Sequence, residues 1–367
     1  MTRTAAGTRI ARIGTAPLTL PMAGALRWGA QSELARLEHL LVGVELDGGA
    51  LGIAEAPVRP TIYGETVESM LAALARHLAP RLVGLDAGDA GGVAAALTSL
   101  PFNFAVKGAL DLALAEARAA SGGGSLAGLE AGPQRRPEVS FILGIAPLAD
   151  MLAEAGRVVA AGVRVLKVKV GRDAGHDEAV IGALTAEFGS SVRLYADANQ
   201  TLSPEDAAGR LERLAELGIA WVEEPLPVHM LRSRAELRRA GILPIIADDS
   251  AFTVADLERE LEGDTFDILN VKPARSGWQG SLAMLAMARR AGKGVMVGSQ
   301  ACSGLGTLHS ALIASREGVT HPSELSFPLK LEGDSLDRAL PLRDGVLDLD
   351  ALAAARLRPG LWAPTWL

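Results

Sequence analysis

Val165-Leu166-Lys167-Val168-Lys169 sets two lysines into a short run of strand-forming residues. Side chains alternate along a strand, so Lys167 and Lys169 point to the same face. Burying two ammonium groups against packed helices is costly, so that face is the interior of a curved sheet, near its mouth. Outward from this run the texture repeats. Residues 139–143, 164–170, 192–197, 219–223, 243–248, 266–272 and 294–298 are short, apolar runs, each closed by a polar residue or glycine. Segments of helical periodicity separate them, and an intervening helix makes neighbouring strands parallel. An unbroken series of such units predicts a βα barrel. A doubly wound open sheet is the alternative, but no glycine-rich dinucleotide fingerprint follows the early strands.

The flanks read differently. Residues 40–46 and 51–54 are strand-like around Asp47-Gly48-Gly49, a hairpin signal. Residues 65–82, with Thr66 as cap, and 104–120 have helical spacing. The Gly/Ser stretch 121–125 and the proline-flanked 132–137 mark an exit. The expectation is an α/β chain: an N-terminal α+β capping domain over 1–137, then a modified TIM-type (β/α)7β barrel over 138–330. The tail 331–367 returns to the capping domain, with Trp362 and Trp366 as apolar anchors.

Bulk properties narrow the class. Of 367 residues, 49% are apolar, enough for a large core, and the net charge of -7 comes without a basic stripe. Nucleic acid is therefore not the expected partner. The single cysteine excludes an internal disulfide. Pro17 and Pro21 interrupt any signal-peptide core, and no window makes a membrane span. A cytoplasmic protein acting on a small molecule, without membrane contact and as a homo-oligomer, is expected.

Only six of the 36 basic residues are lysines, and Lys167, Lys169 and Lys272 stand at strand ends. Unlike Arg, Lys gives up its proton when its surroundings lower its pKa. Asp197, Glu223 and Asp248 close the intervening strands. The steps from Lys169 through to Lys272 are 28, 26, 25 and 24 residues, one βα unit each. Lys, Asp, Glu, Asp, Lys therefore ring the C-terminal mouth, where barrel enzymes keep their chemistry. Three carboxylates there call for a cation, and oxygen donors without His or Cys select Mg²⁺. The alternative is three separate ion pairs with nearby arginines. Ammonium groups beside one another and beside a divalent ion are expected to have lowered pKa values, from about 10.4. A neutral amine facing a bound acid is a general base. The implied reaction removes the proton α to a carboxylate and gives an enediolate.

Lys-Val-Lys, Asp-Ala-Asn (197–199), Glu-Glu-Pro (223–225), Ala-Asp-Asp-Ser (247–250) and Val-Lys-Pro (271–273), in order at barrel spacing, resemble the enolase superfamily, and within it the muconate-lactonizing-enzyme subgroup. The mandelate racemase subgroup would place Asp on the sixth strand and His on the seventh; residues 294–298 hold no His. The resemblance implies that Asp197, Glu223 and Asp248 hold Mg²⁺, with Mn²⁺ a possible substitute. Lys169 and Lys272 become the acid/base pair, and Lys167 tunes Lys169. Asn199, Glu224 and Asp249 stand behind the ligands. Two capping loops, 20–28 and 56–64, would read the substrate. Trp28, Ile62 and Tyr63 are expected there, with Ser299, Gln300 and Cys302 across from them. Cys302 stands where the subgroup commonly has Glu, and Arg275-Ser276-Gly277-Trp278 replaces its usual Lys-x-Gly-Gly; both departures concern substrate identity.

The resemblance implies a cycloisomerase, racemase, epimerase or lyase acting on a small carboxylate. Glu324-Leu325-Ser326-Phe327-Pro328-Leu329 resembles a muconate cycloisomerase stretch and places cycloisomerisation first. The eighth-strand region lacks the Asp-x-Asp with which dipeptide epimerases grip an ammonium. Racemisation or epimerisation of N-acyl amino acids or dipeptides, and o-succinylbenzoate synthesis, are the alternatives. A Schiff-base lysine aldolase is a different class on the same barrel; it would not need three carboxylates.

Overall fold

The computed structural model describes residues 7–367; residues 1–6, at the head of the expected capping domain, lie outside them. The N-terminal sheet is antiparallel: β1 (Ile10–Trp28), β2 (Ser32–Leu46) and β3 (Leu51–Pro57). Asp47-Gly48-Gly49 turns β2 into β3, as the sequence indicates. Thr365–Trp366 adds an edge beside β1. The Trp362 ring lies on Gly43 and the Trp366 ring on Gly14, with the Arg12 guanidinium 3.9 Å above Trp366.

Residues 20–28 are not the loop the sequence indicates. They are the end of β1, and its prolines explain both the misreading and the fold. The carbonyls of Ile13 and Pro21 point away from β2, to the N–H groups of Leu367 and Glu332. Odd-numbered residues of this stretch therefore face the outer edge. Pro17 and Pro21 lose donors only there, beyond the short partner Thr365–Trp366, and no ladder bond to β2 is sacrificed.

The Phe104–Ser121 helix lies across β2 and β3, with Val106, Ala109, Leu110 and Ala113 buried. At Gly52 the approach is so close that a Cβ would fall 2.0 Å from the Ala113 carbonyl and 2.4 Å from the Ala117 nitrogen. Both are backbone atoms of a packed helix and cannot swing away. Gly52→Ala is expected to destabilise the fold by about 3 kcal/mol, the upper end for overpacking. A denaturant midpoint equal to that of the parent chain would contradict this packing.

The second sheet has seven parallel strands in sequential order: β4 (Ser140–Leu143), β5 (Val165–Lys169), β6 (Arg193–Asp197), β7 (Ile219–Glu223), β8 (Ile245–Ala247), β9 (Ile268–Val271) and β10 (Gly294–Val297). Helices connect them, as the spacing predicts. The eighth wall position is not a regular strand. Residues 323–325 fill it: Ser140 N–H donates to the Ser323 carbonyl, and Glu324 N–H donates to that of Val297. This segment joins the first strand to the last and completes a (β/α)7β barrel. Among the described residues no helix is long and apolar enough to cross a membrane.

Period-two alternation layers the interior. Val165, Tyr195, Trp221, Ile246, Ile268 and Met296 pack together as an apolar floor. Two residues further along the same strands stand Lys167, Asp197, Glu223, Asp248, Asn270 and Gly298. One more step gives Lys169 and Lys272. The apolar floor thus carries a charged layer, and the charged layer carries the mouth.

Candidate active site

Each ringing residue owes its place to register. Lys169 pairs across to Asp197, and Asp197 to Glu223. Lys167 is 1% exposed. Its Nζ lies 2.8 Å from Asp197, 2.8 Å from Glu223 and 2.6 Å from Glu324. Lys169 Nζ donates to Asp197 Oδ2 at 2.5 Å and to Asn199 Oδ1 at 2.9 Å. Lys272 Nζ donates to Asp248 Oδ2 at 2.5 Å, and Arg275 stands 3.0 Å from the other oxygen of Asp248.

These contacts set the electrostatics of the protein's own residues, apart from any bound cation. Burial alone would lower the Lys167 pKa, but Asp197, Glu223 and Glu324 outweigh it and hold the ammonium well above its ordinary range. Lys272 is likewise raised, burial being overcome by Asp248. The carboxylates divide. Asp197 is depressed to about 2, burial being overcome by Lys167 and Lys169. Glu223 is pushed well up by burial and by its acidic neighbours Asp197, Asp248 and Glu324, despite Lys167.

The alternative of arginine pairs holds only at Asp248; the other partners are lysines. Among the described residues no group of three or more His, Cys, Asp or Glu side chains is drawn together tightly enough to hold a metal ion. The expected trio is therefore adjacent along the rim but turned toward ammonium groups. Its chemistry still fits a hard cation. Glu223 Oε2 is a buried oxygen without a hydrogen-bond partner, whereas Asp248 Oδ1 has the Arg275 guanidinium 3.0 Å away. The raised Glu223 pKa also marks a patch short of positive charge. All-oxygen donors of this kind suit Mg²⁺ rather than zinc.

The residues expected behind the ligands act as struts. Asn199 donates its N–H to Asp197 Oδ1 at 2.9 Å. Glu224 Oε1 accepts from Asp248 N, Ser250 N and Ser250 Oγ at 2.6–2.8 Å. Burial, partly offset by Arg234, raises Glu224 to about 7. Asp249 accepts from Gln200 Nε2 at 3.1 Å. Asn199, Gln200, Glu224 and Ala301 all have positive φ. Such backbone costs of order 1–3 kcal/mol per residue, and here it gathers at the strand ends.

A cavity of about 500 Å³ opens above this rim. Lys167, Lys169, Asp248 and Lys272 form its base; Trp28, Ile62, Ser299 and Gln300 are on its wall. Arg172 holds the β1–β2 turn over the mouth, donating to the Gly29 carbonyl at 2.6 Å and the Trp28 carbonyl at 3.1 Å. Asp197 and Glu223 lie beneath, covered by the lysines. Two expected wall residues are elsewhere. Tyr63 wedges between Phe104 and Phe252, with ring centroids 6.3 and 5.7 Å away. Cys302 is 1% exposed and faces Glu55, and burial pushes its thiol well up. It is a small buried residue because the left-handed turn at Ala301 sends it away from the cavity.

Three participants escape the sequence reading of roles. Glu324, on the closing segment, bonds Lys167 and accepts from Ser299 N at 2.7 Å. Its position 52 residues after Lys272 is two βα units, a signal within reach. Arg275, noted only as a departure from the usual motif, is the second cation on Asp248. Arg59, on the cavity wall, has no periodic signal, because it follows the end of β3.

Residues 150–361 match the family described as Enolase C-terminal domain-like. L-Ala-D/L-Glu epimerase of Bacillus subtilis is 31% identical over 89% of this chain and 90% of its own length. N-succinylamino acid racemase of Thermus thermophilus is 31% identical over 87% and 86%. Among solved structures, muconate lactonizing enzyme from Mucobacterium Smegmatis, complexed with muconolactone, superposes with a TM-score of 0.89 at 32% identity, covering 96% of this chain and 97% of that one.

Proposed function

We propose, since the chain belongs to the Enolase C-terminal domain-like family and so to the enolase superfamily, that this enzyme moves a proton at the carbon α to a carboxylate. One observation carries the reading. Counting residues 323–325, the barrel has eight wall positions, and Lys169 and Lys272 close positions four apart. They face each other across the mouth, with the acids Asp197, Glu223 and Asp248 on the strands between. An acid lying at the base of the cavity has one amine on each side of its α-carbon.

In this reading Asp197, Glu223 and Asp248 hold a divalent cation, Mg²⁺ with Mn²⁺ as substitute. When bound, it supplies Lewis-acid stabilisation of charge developing on the substrate carboxylate. Lys169 or Lys272 carries the proton, and the opposite ammonium steadies the negative charge or protonates the other face. Lys167 keeps Lys169 company on Asp197 and fixes that carboxylate. Trp28 and Ile62 shield the site from water.

We assign the reaction to cycloisomerisation of the muconate type. There one carboxylate adds to the conjugated double bond of the same molecule, a C–O bond forms, and a proton arrives α to the other carboxylate. The closing segment favours it. Its one acid, Glu324, is spent on Lys167, Tyr195 and the Ser299 N–H, and Ser326 and Phe327 follow. No acid there is left to grip a substrate ammonium. Racemisation of an N-acyl amino acid is the second reading, favoured by the opposed amines.

Incubation with Mg²⁺ in D₂O against cis,cis-muconate, N-acyl amino acids, dipeptides and succinylbenzoate precursors separates these. Lactone formation with deuterium at the α-carbon is the expected result for muconate. Absence of exchange with every acid would remove the proposal. Chelation is expected to abolish turnover and added Mg²⁺ to restore it; turnover that survives exhaustive chelation would count against the metal.

A further inference from the structure

We infer that two copies of this chain pair through the capping domain, the Phe102 ring of each entering a cavity beside Phe104 of the other. The cavity, of about 260 Å³, lies between the Ala90–Thr98 and Phe104–Ser121 helices and the barrel. It shares one lining residue, Phe252, with the cavity above the rim. Val93, Leu97, Phe104, Leu114, Phe252 and Met284 make its apolar wall. The charged side chains on that wall are already turned to backbone partners. Lys107 donates to the Leu100 carbonyl at 2.9 Å, Arg118 to that of Ala87 at 3.4 Å and Arg275 to that of Asp248 at 2.7 Å. Asp111 accepts from the Gln279 N–H at 2.8 Å. What the cavity offers an occupant is therefore mainly apolar. An apolar cavity of about 150 Å³ takes up benzene, so this one has room for a phenyl ring.

Such a ring stands at its edge. Phe102 is the most exposed large apolar side chain among the described residues, at 71%. Its ring lies 6.2 Å from that of Phe104, yet it is not part of the cavity wall. Phe102 and Asn103 both have left-handed backbone, with φ of 53° and 55°. Asn tolerates that region, whereas a bulky aromatic is strained there. The turn itself has a local use: it brings the Glu65 carboxylate to the Ala105 and Val106 N–H groups at 3.0 and 3.4 Å, at the start of the helix. Glycine at 102 makes the same turn at lower cost, so the ring is not explained by the turn. The surrounding surface is also unusual. Residues 90–102 carry no charged side chain in a chain that is 22% charged, although Ala94, Ala95, Thr98 and Pro101 are exposed. Loss of charge marks the centre of an interface. Ring and socket lie together on one face of one chain. A twofold pairing satisfies both at once, which makes a second copy the matching partner.

Sedimentation equilibrium on the full chain tests this. The parent chain is expected to be a dimer, or an even multiple of one, at micromolar concentration. Phe102→Gly removes both rings and relaxes the turn, so its far-UV circular dichroism is expected to match the parent's. It is expected to stay at half the parent mass up to on the order of a hundredfold the concentration at which the parent pairs. Ala94→Trp fills the socket from its exposed side and is expected to do the same. A mixture of the two variants keeps one ring and one open socket per pair, so pairing is expected to return in part. A monomeric parent chain, pairing untouched by Phe102→Gly, or a mixture no more associated than its components would overturn the inference. Should Ala94→Trp not fold, the parent chain against Phe102→Gly still decides.

Discussion

Lys272→Ala and Lys169→Ala are each expected to lower turnover by about 10²–10⁴-fold, the worth of a positioned acid or base, while the fold persists. The geometry allows this separation. Removing Lys272 leaves Asp248 with Arg275 at 3.0 Å. Removing Lys169 leaves Asp197 with Lys167 at 2.8 Å. No carboxylate is stranded, so melting temperatures should stay close to that of the parent chain. Deuterium exchange sharpens the test. In a cycloisomerase, one variant loses exchange and the other loses rate with exchange from the remaining base still detectable. In a racemase, each variant loses exchange for one enantiomer. Retained turnover in either variant would remove that lysine from the chemistry.

Much of this arrangement is legible in the chain because barrels turn sequence spacing into angular position. One βα unit takes roughly 25 residues, so five charged residues at that interval become neighbours on one rim. Period-two alternation then fixes which of them face inward. Features outside both periods are hidden. β1 is concealed by Pro17 and Pro21, which are tolerated because they face the outer edge beyond the two-residue partner Thr365–Trp366. The eighth wall position is hidden because residues 323–325 bond as an irregular segment rather than as an apolar run. Cys302 and Tyr63 fall near the cavity in sequence but not on its wall. A left-handed residue turns the first away, and stacking with Phe104 and Phe252 holds the second. Among the protein's own residues Lys167 and Lys272 are raised, because carboxylates two residues from the apolar floor hold the nearest cations more strongly than burial discharges them; the expected lowering belongs to the site with its divalent cation.

Lys167→Met is expected to act oppositely to the other two, costing about 3–5 kcal/mol of stability, the penalty for breaking a buried ionic cluster by removing one partner. Methionine matches the stem, so the loss is electrostatic rather than a cavity. Glu223 and Glu324 each have Lys167 as their only ion-pair partner among the described residues. Asp197 alone retains another, Lys169. Two buried carboxylates would therefore be left without a cation. The pH dependence gives the sign. In the parent chain Asp197, held near 2 against an ordinary 3.8, contributes stability that is present above 3.8 and lost as pH falls toward 2. Glu223, raised above its ordinary value, favours the fold below about 4.5 and loses that contribution as pH rises through its folded pKa. Removing Lys167 raises Glu223 further. The deficit of the variant should thus shrink between pH 8 and pH 5, measured by denaturant unfolding with chelator present. Adding Glu324→Gln should recover part of the loss, since one of the two stranded charges is then gone. A deficit independent of pH, or no recovery in the double variant, would show that Lys167 supports the barrel by packing and not by neutralising the acids that surround it.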